Sequence, residues 1–494
     1  MRESGILMHI TSLPGPYGIG TMGASAYGFA DFLFKSGQRC WQLLPLCPTG
    51  FGDSPYQSCS AFAGNHYLID PDMLVEKGLL LPEEAAQLRY DGPVDRVDYG
   101  LLYKNRLPVL RKAFHRFADW TALDAFLGKN AHWLPDFALY MALKDRYNGA
   151  PWYCWDEPLK HRLPDALWDV RKQLREEIRF YCFVQYVFYS QWYALRDYAH
   201  ERGISLIGDV PIYVPMDSVE VWCSPELFAL DGECNPIAVA GCPPDAFSQD
   251  GQLWGNPLYR WDVMKKDGYE WWLRRLAAAG ELFDKVRLDH FRGFEAYWSV
   301  PYGDVTAKNG SWVKGPGMDF IRTVQTRLPK LQLIAEDLGY LTEEVLQLRD
   351  ESGLPGMKVL GFAFDSREPS AYLPHNYIKN TVCYTGTHDN MTARQWFLSA
   401  PADSVAYARE YMGLTAEEGD VRGMIRTALA SISDLCVIPM QDWLELGEEA
   451  RMNFPGTTGN NWVWRMLPGS CTDALAKTIY KLTVLYGRLG NKEK

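Results

Sequence analysis

Short runs of apolar residues, each ending in polar or sharply turning residues, recur along most of the chain. They cover residues 5–14, 40–46, 204–214, 284–292, 332–339, 356–364, 381–389 and 435–444. Continuous apolar runs of this length suit strands buried on both faces of a parallel sheet, where no strand face meets water. Eight such strands, several separated by helical stretches, are the number that closes a (β/α)8 barrel. The predicted fold class is therefore α/β, a TIM barrel with large insertions around its C-terminal mouth.

The spacing of the runs is uneven. A mostly helical insertion is expected over residues 47–200, after the second strand. Within it, Phe180, Phe183, Phe188 and Trp192 fall at three- to five-residue steps along residues 165–202, as the core side of a helix would place them. A second insertion, residues 215–280, is rich in Pro, Gly and Trp and is expected to carry an active-site loop, since long irregular segments in compact domains usually form walls or lids. No fixed-period repeat and no low-complexity linker divides the chain, so residues 1–494 read as one elaborated catalytic domain.

Charge and cysteine content narrow the function classes. Fifty Lys and Arg against 61 Asp and Glu give a net charge of −11, with no basic tract. Nucleic acid and anionic membrane surfaces want the opposite sign. No apolar run approaches the ~18 residues of a membrane-spanning helix, and the start is too short in apolar residues for a signal peptide. Eleven cysteines without a CxxC pair read as reduced thiols of a cytoplasmic protein. No HExxH and no His/Cys cluster suggests a metal, and no obligate protein partner is inferred. Aromatic residues reach 14%. Most belong to a large core, while rings lining a groove would stack on the apolar faces of sugars.

Gly18-Ile19-Gly20-Thr21-Met22-Gly23 matches the dinucleotide-binding pattern GxGxxG. Two features oppose that reading. Pro14-Gly15-Pro16-Tyr17 separates the strand from the glycines, and the next strand ends in Leu44-Pro45-Leu46 with no acid to hold a ribose. The loop reads better as a glycine-shaped rim of the barrel mouth.

Acids stand at four strand ends: Asp209 in Gly208-Asp209-Val210-Pro211, Asp289 in Arg287-Leu288-Asp289-His290, Glu336 in Ala335-Glu336-Asp337-Leu338-Gly339, and Asp389 in Thr387-His388-Asp389-Asn390. The C-terminal ends of barrel strands converge on one mouth. Paired carboxylates without metal or cofactor suit glycoside cleavage, in which one acid attacks the anomeric carbon and another protonates the leaving oxygen. Arg287 and Asp289, two apart on a strand, share a face. The guanidinium is expected to lower the Asp289 pKa and keep this nucleophile anionic. Partial burial near other carboxylates is expected to raise Glu336, as a general acid/base requires. Asp389, beside His388, would hold sugar hydroxyls.

At these motifs the chain resembles glycoside hydrolase family 77, the 4-α-glucanotransferases of the α-amylase clan. The resemblance runs nearly end to end. It includes Thr11-Ser12-Leu13-Pro14, Ser54-Pro55-Tyr56-Gln57, Ser60-Ala61-Phe62-Ala63-Gly64-Asn65, Pro243-Pro244-Asp245, Trp254-Gly255-Asn256-Pro257-Leu258-Tyr259, Asn460-Asn461-Trp462 and Trp464-Arg465. It implies retaining transfer of α-1,4-glucan segments from a maltooligosaccharide donor to the 4-hydroxyl of glucose or another glucan. No cofactor and no structural calcium are implied. Asp289 would form the glucosyl-enzyme, Glu336 would act as acid and then base, and Asp389 would stabilise the transition state. Arg287, His388 and Asp209 would support the reacting sugar, with Tyr56, Ser54, Trp254 and Asn461 lining neighbouring subsites. His290 belongs to the same substrate-binding set. The family often has an aromatic residue where Ala246 stands, in the loop thought to fold over the glucan. Phe247 is the candidate to compensate. Three alternatives remain beside this reading: an α-glucan hydrolase with the same acids, an inactive glucan-binding protein, and a nucleotide-dependent oxidoreductase resting on the glycine loop alone.

Overall fold

The computed structural model describes residues 2–244, 248–339, 341–365, 367 and 370–490. The eight apolar runs each contribute a strand to a closed parallel barrel. These are β1 (Glu3–Leu7), β2 (Cys40–Gln42), β3 (Ser205–Val210), β4 (Lys285–Leu288), β5 (Gln332–Ala335), β6 (Gly356–Val359), β7 (Thr381–Tyr384) and β8 (Leu435–Pro439). Each strand pairs in parallel with its sequence neighbours, and β8 closes on β1 through Glu3↔Leu435 to Leu7↔Pro439. Apolar side chains on both strand faces are out of water, among them Ile6, Trp41, Ile207, Val286 and Val437 at 0% exposure. That burial of both faces is why the runs lack polar alternation. Inside the barrel, Tyr384 Oη donates to Gln42 Oε1 at 2.9 Å, giving the buried hydroxyl its partner.

Helices form the outer ring. The longest, Arg175–Glu201, precedes β3 and buries Phe180, Phe183, Phe188 and Trp192, as their spacing foretold. It also buries two glutamines. Gln185 exchanges a pair of hydrogen bonds with the backbone of Gly64 (2.7 and 3.0 Å), and Gln191 does the same with Asp70 (2.7 and 3.1 Å). These amides pair with the backbone as a neighbouring strand would. They fasten the segment from Gly64 to Asp70, which continues the loop carrying Tyr56.

The apolar pattern did not foretell a four-stranded antiparallel sheet, ordered Gln252–Pro257, Ala238–Cys242, Ala296–Pro301 and Ser311–Lys314. Its strands are short, one contains Gly255 and Pro257, and all four residues of Ser311–Lys314 are exposed. The exposed face of that last strand leaves no periodicity to read there.

The glycine loop is packed by its own chain. A Cβ on Gly20 would lie 1.8 Å from the carbonyl oxygen of Ile10, and one on Gly23 would lie 2.0 Å from Asp70 Oδ2. Thr21 Oγ1 donates to the same Asp70 oxygen at 2.6 Å. A carboxylate thus fills the place where a bound phosphate would need donors, and close approach of the chain to itself explains the glycines.

Candidate active site

The site is built on a cross-strand pair. Asp209 in β3 stands in register with Arg287 in β4. Arg287 Nη1 lies 2.8 and 2.6 Å from the two Asp209 oxygens, and it reaches Asp289 Oδ1 at 3.0 Å. Its other terminal nitrogen is 4.0 Å from Glu336 Oε2. One guanidinium, 3% exposed at its side chain, therefore serves three carboxyls from three strand ends. Burial opposes its charge, but Asp209 and Asp289 outweigh that and hold Arg287 well above its ordinary pKa.

Tyr56 extends the cluster. Its hydroxyl donates to Asp209 Oδ2 at 2.8 Å, and its ring stacks on His388 at 5.2 Å and 13°. Ser54 Oγ accepts from the Tyr56 N–H at 3.2 Å, shaping the turn that presents the ring. His388 Nε2 lies 3.1 Å from Asp389 Oδ2, and Asn453 Nδ2 donates to Asp389 Oδ1 at 2.7 Å. Burial pushes Asp389 up, but His388, then Asn453 and Arg287, outweigh it and hold this carboxyl below the usual range. Asp389 is an anion with its lone pairs already directed.

Asp289 and Glu336 are pushed the other way. Burial raises Asp289 to about 6; Arg287 pulls against this, while Asp209 and then Asp389 add to it. The expected depression by Arg287 is thus corrected: the guanidinium is shared, and Asp209 takes it with both oxygens. Glu336 is raised well above the usual range, by burial first, with Arg287 opposing and Asp289 reinforcing. A raised Glu336 is what a general acid in glycoside cleavage needs.

His290 directs Glu336. It takes the left-handed conformation, φ 50° and ψ 50°, which is uncommon for a residue with a Cβ. In that conformation its N–H donates to Glu336 Oε2 at 2.6 Å, while the Leu338 N–H reaches Oε1 at 3.1 Å. The His290 ring meets Trp254 edge to face at 4.8 Å, and burial, helped by Arg292, lowers it to about 3. Trp254 is steadied in turn by Gln252 Oε1 at 3.1 Å. Asp337, next to Glu336, is turned away and held by Arg349 Nη1 at 2.8 Å and the Met357 N–H at 2.6 Å. The side chains of Asp289 and Asp389 are 25% and 38% exposed, so these two acids face the open mouth.

Asn461 is placed differently from a free subsite side chain. Its Oδ1 accepts from Phe454 N at 3.0 Å and its Nδ2 donates to Thr457 O at 3.1 Å, so it shapes the loop from Phe454 to Trp462. Phe247 and Ala246 lie outside the described residues. Sequence reading missed Asn453 and Gln252, and assigned no role to Trp462, whose ring lies 5.6 Å from Tyr56 and 5.9 Å from His388. The motif Asn460-Asn461-Trp462 was a signal for the loop, though not for the stacking.

A family model described as 4-alpha-glucanotransferase, that of glycoside hydrolase family 77, matches residues 8–471. The 4-alpha-glucanotransferase of Clostridium butyricum is 48% identical over 97% of this chain and 100% of its own length. That of Thermus thermophilus is 49% identical over 95% of each chain. The amylomaltase of Streptococcus agalactiae, solved in complex with acarbose, superposes with a TM-score of 0.96 at 43% identity, covering 99% of this chain and 100% of that one. With the family model and these relatives spanning nearly all of it, the chain belongs to glycoside hydrolase family 77, the 4-α-glucanotransferases.

Proposed function

We propose that the barrel mouth transfers α-1,4-glucan segments by double displacement, with Asp289 as nucleophile. Ionised Asp289 attacks the anomeric carbon of the donor sugar as the bond to the leaving 4-oxygen breaks, and Glu336 gives its proton to that oxygen. In the second half, the acceptor's 4-hydroxyl attacks the same carbon. Glu336, now a carboxylate, takes the hydroxyl proton, and the Asp289 ester bond breaks. Two displacements retain the anomeric configuration. Asp389, already an anion, and His388 would bind hydroxyls of the reacting sugar, with Asp209, Arg287 and Tyr56 fixing the floor beneath it. Trp254 and His290 would form the wall on the acid's side.

One observation carries this reading. Asp289 and Glu336, at the ends of neighbouring strands, sit on the same guanidinium at 3.0 and 4.0 Å, so a nucleophile and an acid can face one glycosidic bond. The reading expects their carboxyls about 5–5.5 Å apart in a substrate-like state. Maltooligosaccharides would be donors and glucose an acceptor. The cytoplasm, where barrel thiols such as Cys40, Cys383 and Cys436 stay reduced, would be its compartment.

Incubating the purified protein with maltotriose alone tests the proposal. Glucose together with products longer than three units is the expected result. Glucose and maltose alone would make water the acceptor and the protein a hydrolase, and no turnover would overturn the substrate assignment.

A further inference from the structure

Of the two ring nitrogens of His388, one has a polar partner among the described residues. Nε2 lies 3.1 Å from Asp389 Oδ2, an anion, so Nε2 carries a proton. Nδ1 is buried and has no hydrogen-bond partner among the described residues. A buried nitrogen left so is rare and calls for a physical account.

Beside the residue lies a cavity of about 20 Å³, lined by His388, Thr387, His9, Ser12 and Gln441 among others. By this measure one water needs about 10–15 Å³. Two lining residues are prepared for such a water. His9 Nδ1 accepts from the Leu44 N–H at 3.3 Å, and burial, with His388 adding to it, lowers His9 to about 3. His9 is therefore neutral, with its proton on Nε2. Gln441 Nε2 donates to Ala450 O at 3.3 Å, which leaves Oε1 without a protein partner among the described residues. Ser12 is already engaged with Met452 at 3.5 Å.

We propose that the cavity holds one buried water that accepts from His9 Nε2–H, donates to Gln441 Oε1 and hydrogen-bonds His388 Nδ1, making His9 and Gln441 positioning residues for His388. Three partners match what buried waters ordinarily have, and donors and acceptors balance around the oxygen. The consequence lies at the other side of the ring. With Nδ1 held by the water, the imidazole plane is fixed against Tyr56 and Nε2–H stays on Asp389, so Asp389 keeps its direction towards the sugar.

The inference rests on the proposed role of the His388–Asp389 pair, and two measurements keep the failures apart. A crystal structure of the unaltered protein at a resolution that orders buried waters reads the water directly, whatever the pair does. A single water within hydrogen-bond reach of all three atoms is expected, and a dry cavity would overturn the proposal. His9 variants then read the consequence on maltotriose transfer. In His9→Asn the side-chain oxygen can still take the Leu44 N–H, but the Nε2 donor is gone. In His9→Gln the amide reaches towards the donor position and gives up the Leu44 bond. Positioning through the water predicts that His9→Asn lowers kcat about tenfold with KM within about twofold, and that His9→Gln keeps kcat within about threefold. The reverse ranking, or equal losses, would make His9 a merely structural residue and overturn the proposal. Full activity in Asp389→Asn would instead sink the role assigned to the pair and leave the crystallographic result standing.

Discussion

Arg287 at the mouth of the barrel and Arg488 at its floor are both buried, and they face opposite kinds of partner. Arg488 donates to the carbonyls of Leu429, Glu3, Ser433 and Ser431 at 2.6–3.0 Å, and every nitrogen of its guanidinium is used. Arg287 faces carboxyls from Asp209, Asp289 and Glu336, and its buried Nε has no partner among the described residues. Carbonyls do not titrate, so the floor site has one state and ties the chain ends to the barrel. Carboxyls around one shared cation compete for it, and at Asp289 and Glu336 burial prevails over its pull and raises them. Neighbouring Glu336 and Asp337 differ in direction: Asp337 is turned from the mouth and fixed by Arg349 and the Met357 N–H, while Glu336 lies beside the shared Arg287. Incomplete compensation at the mouth is what leaves groups available for chemistry.

The largest effect expected from breaking this contrast is at the nucleophile. Asp289→Asn should lower transfer on the order of 10⁴-fold or more, with the urea unfolding midpoint little changed, because the side chain reacts and does not pack. Wild-type rates in that variant would sink the assignment. Arg287→Lys keeps a charge but cannot fork between carboxyls. Transfer is expected to fall roughly 10²-fold, read as kcat/KM for maltotriose. Arg488→Met should show the opposite signature. Several buried carbonyls lose their donors, so urea unfolding should report roughly 3 kcal/mol or more of lost stability, while activity per folded molecule stays within about twofold. Equal damage to activity in Arg488→Met would erase the distinction between mouth and floor.

The mildest perturbation is pH. The active form has Asp289 ionised and Glu336 protonated, so kcat/KM should rise as pH increases through about 6, where Asp289 loses its proton. It should fall again on the alkaline side as Glu336 is deprotonated, since that group is held well above its ordinary value. Asp389 is held below the usual range and should contribute no limb near neutrality. A profile flat from about pH 4 to 9 would contradict the pair.

The chain itself determined the barrel and its acids. Residues buried on both strand faces must be apolar whatever surrounds them, so the eight runs announced eight strands, and Phe180 to Trp192 announced a buried helix face. Asp209, Asp289, Glu336 and Asp389 were legible because barrel closure brings every strand's C-terminal end to one place. Only the tertiary structure decided how those groups divide one cation. The register of Asp209 with Arg287 brings both Asp209 oxygens onto the Nη1 that Asp289 also contacts, and burial prevails over attraction at Asp289 and reverses the shift expected from spacing alone. The same holds for Asn453 on Asp389, for the left-handed turn of His290 onto Glu336, and for Asn461, which closes its own loop. These depend on distances between segments far apart in the chain, and electrostatic interaction varies with distance and burial, neither of which a local pattern of residues encodes.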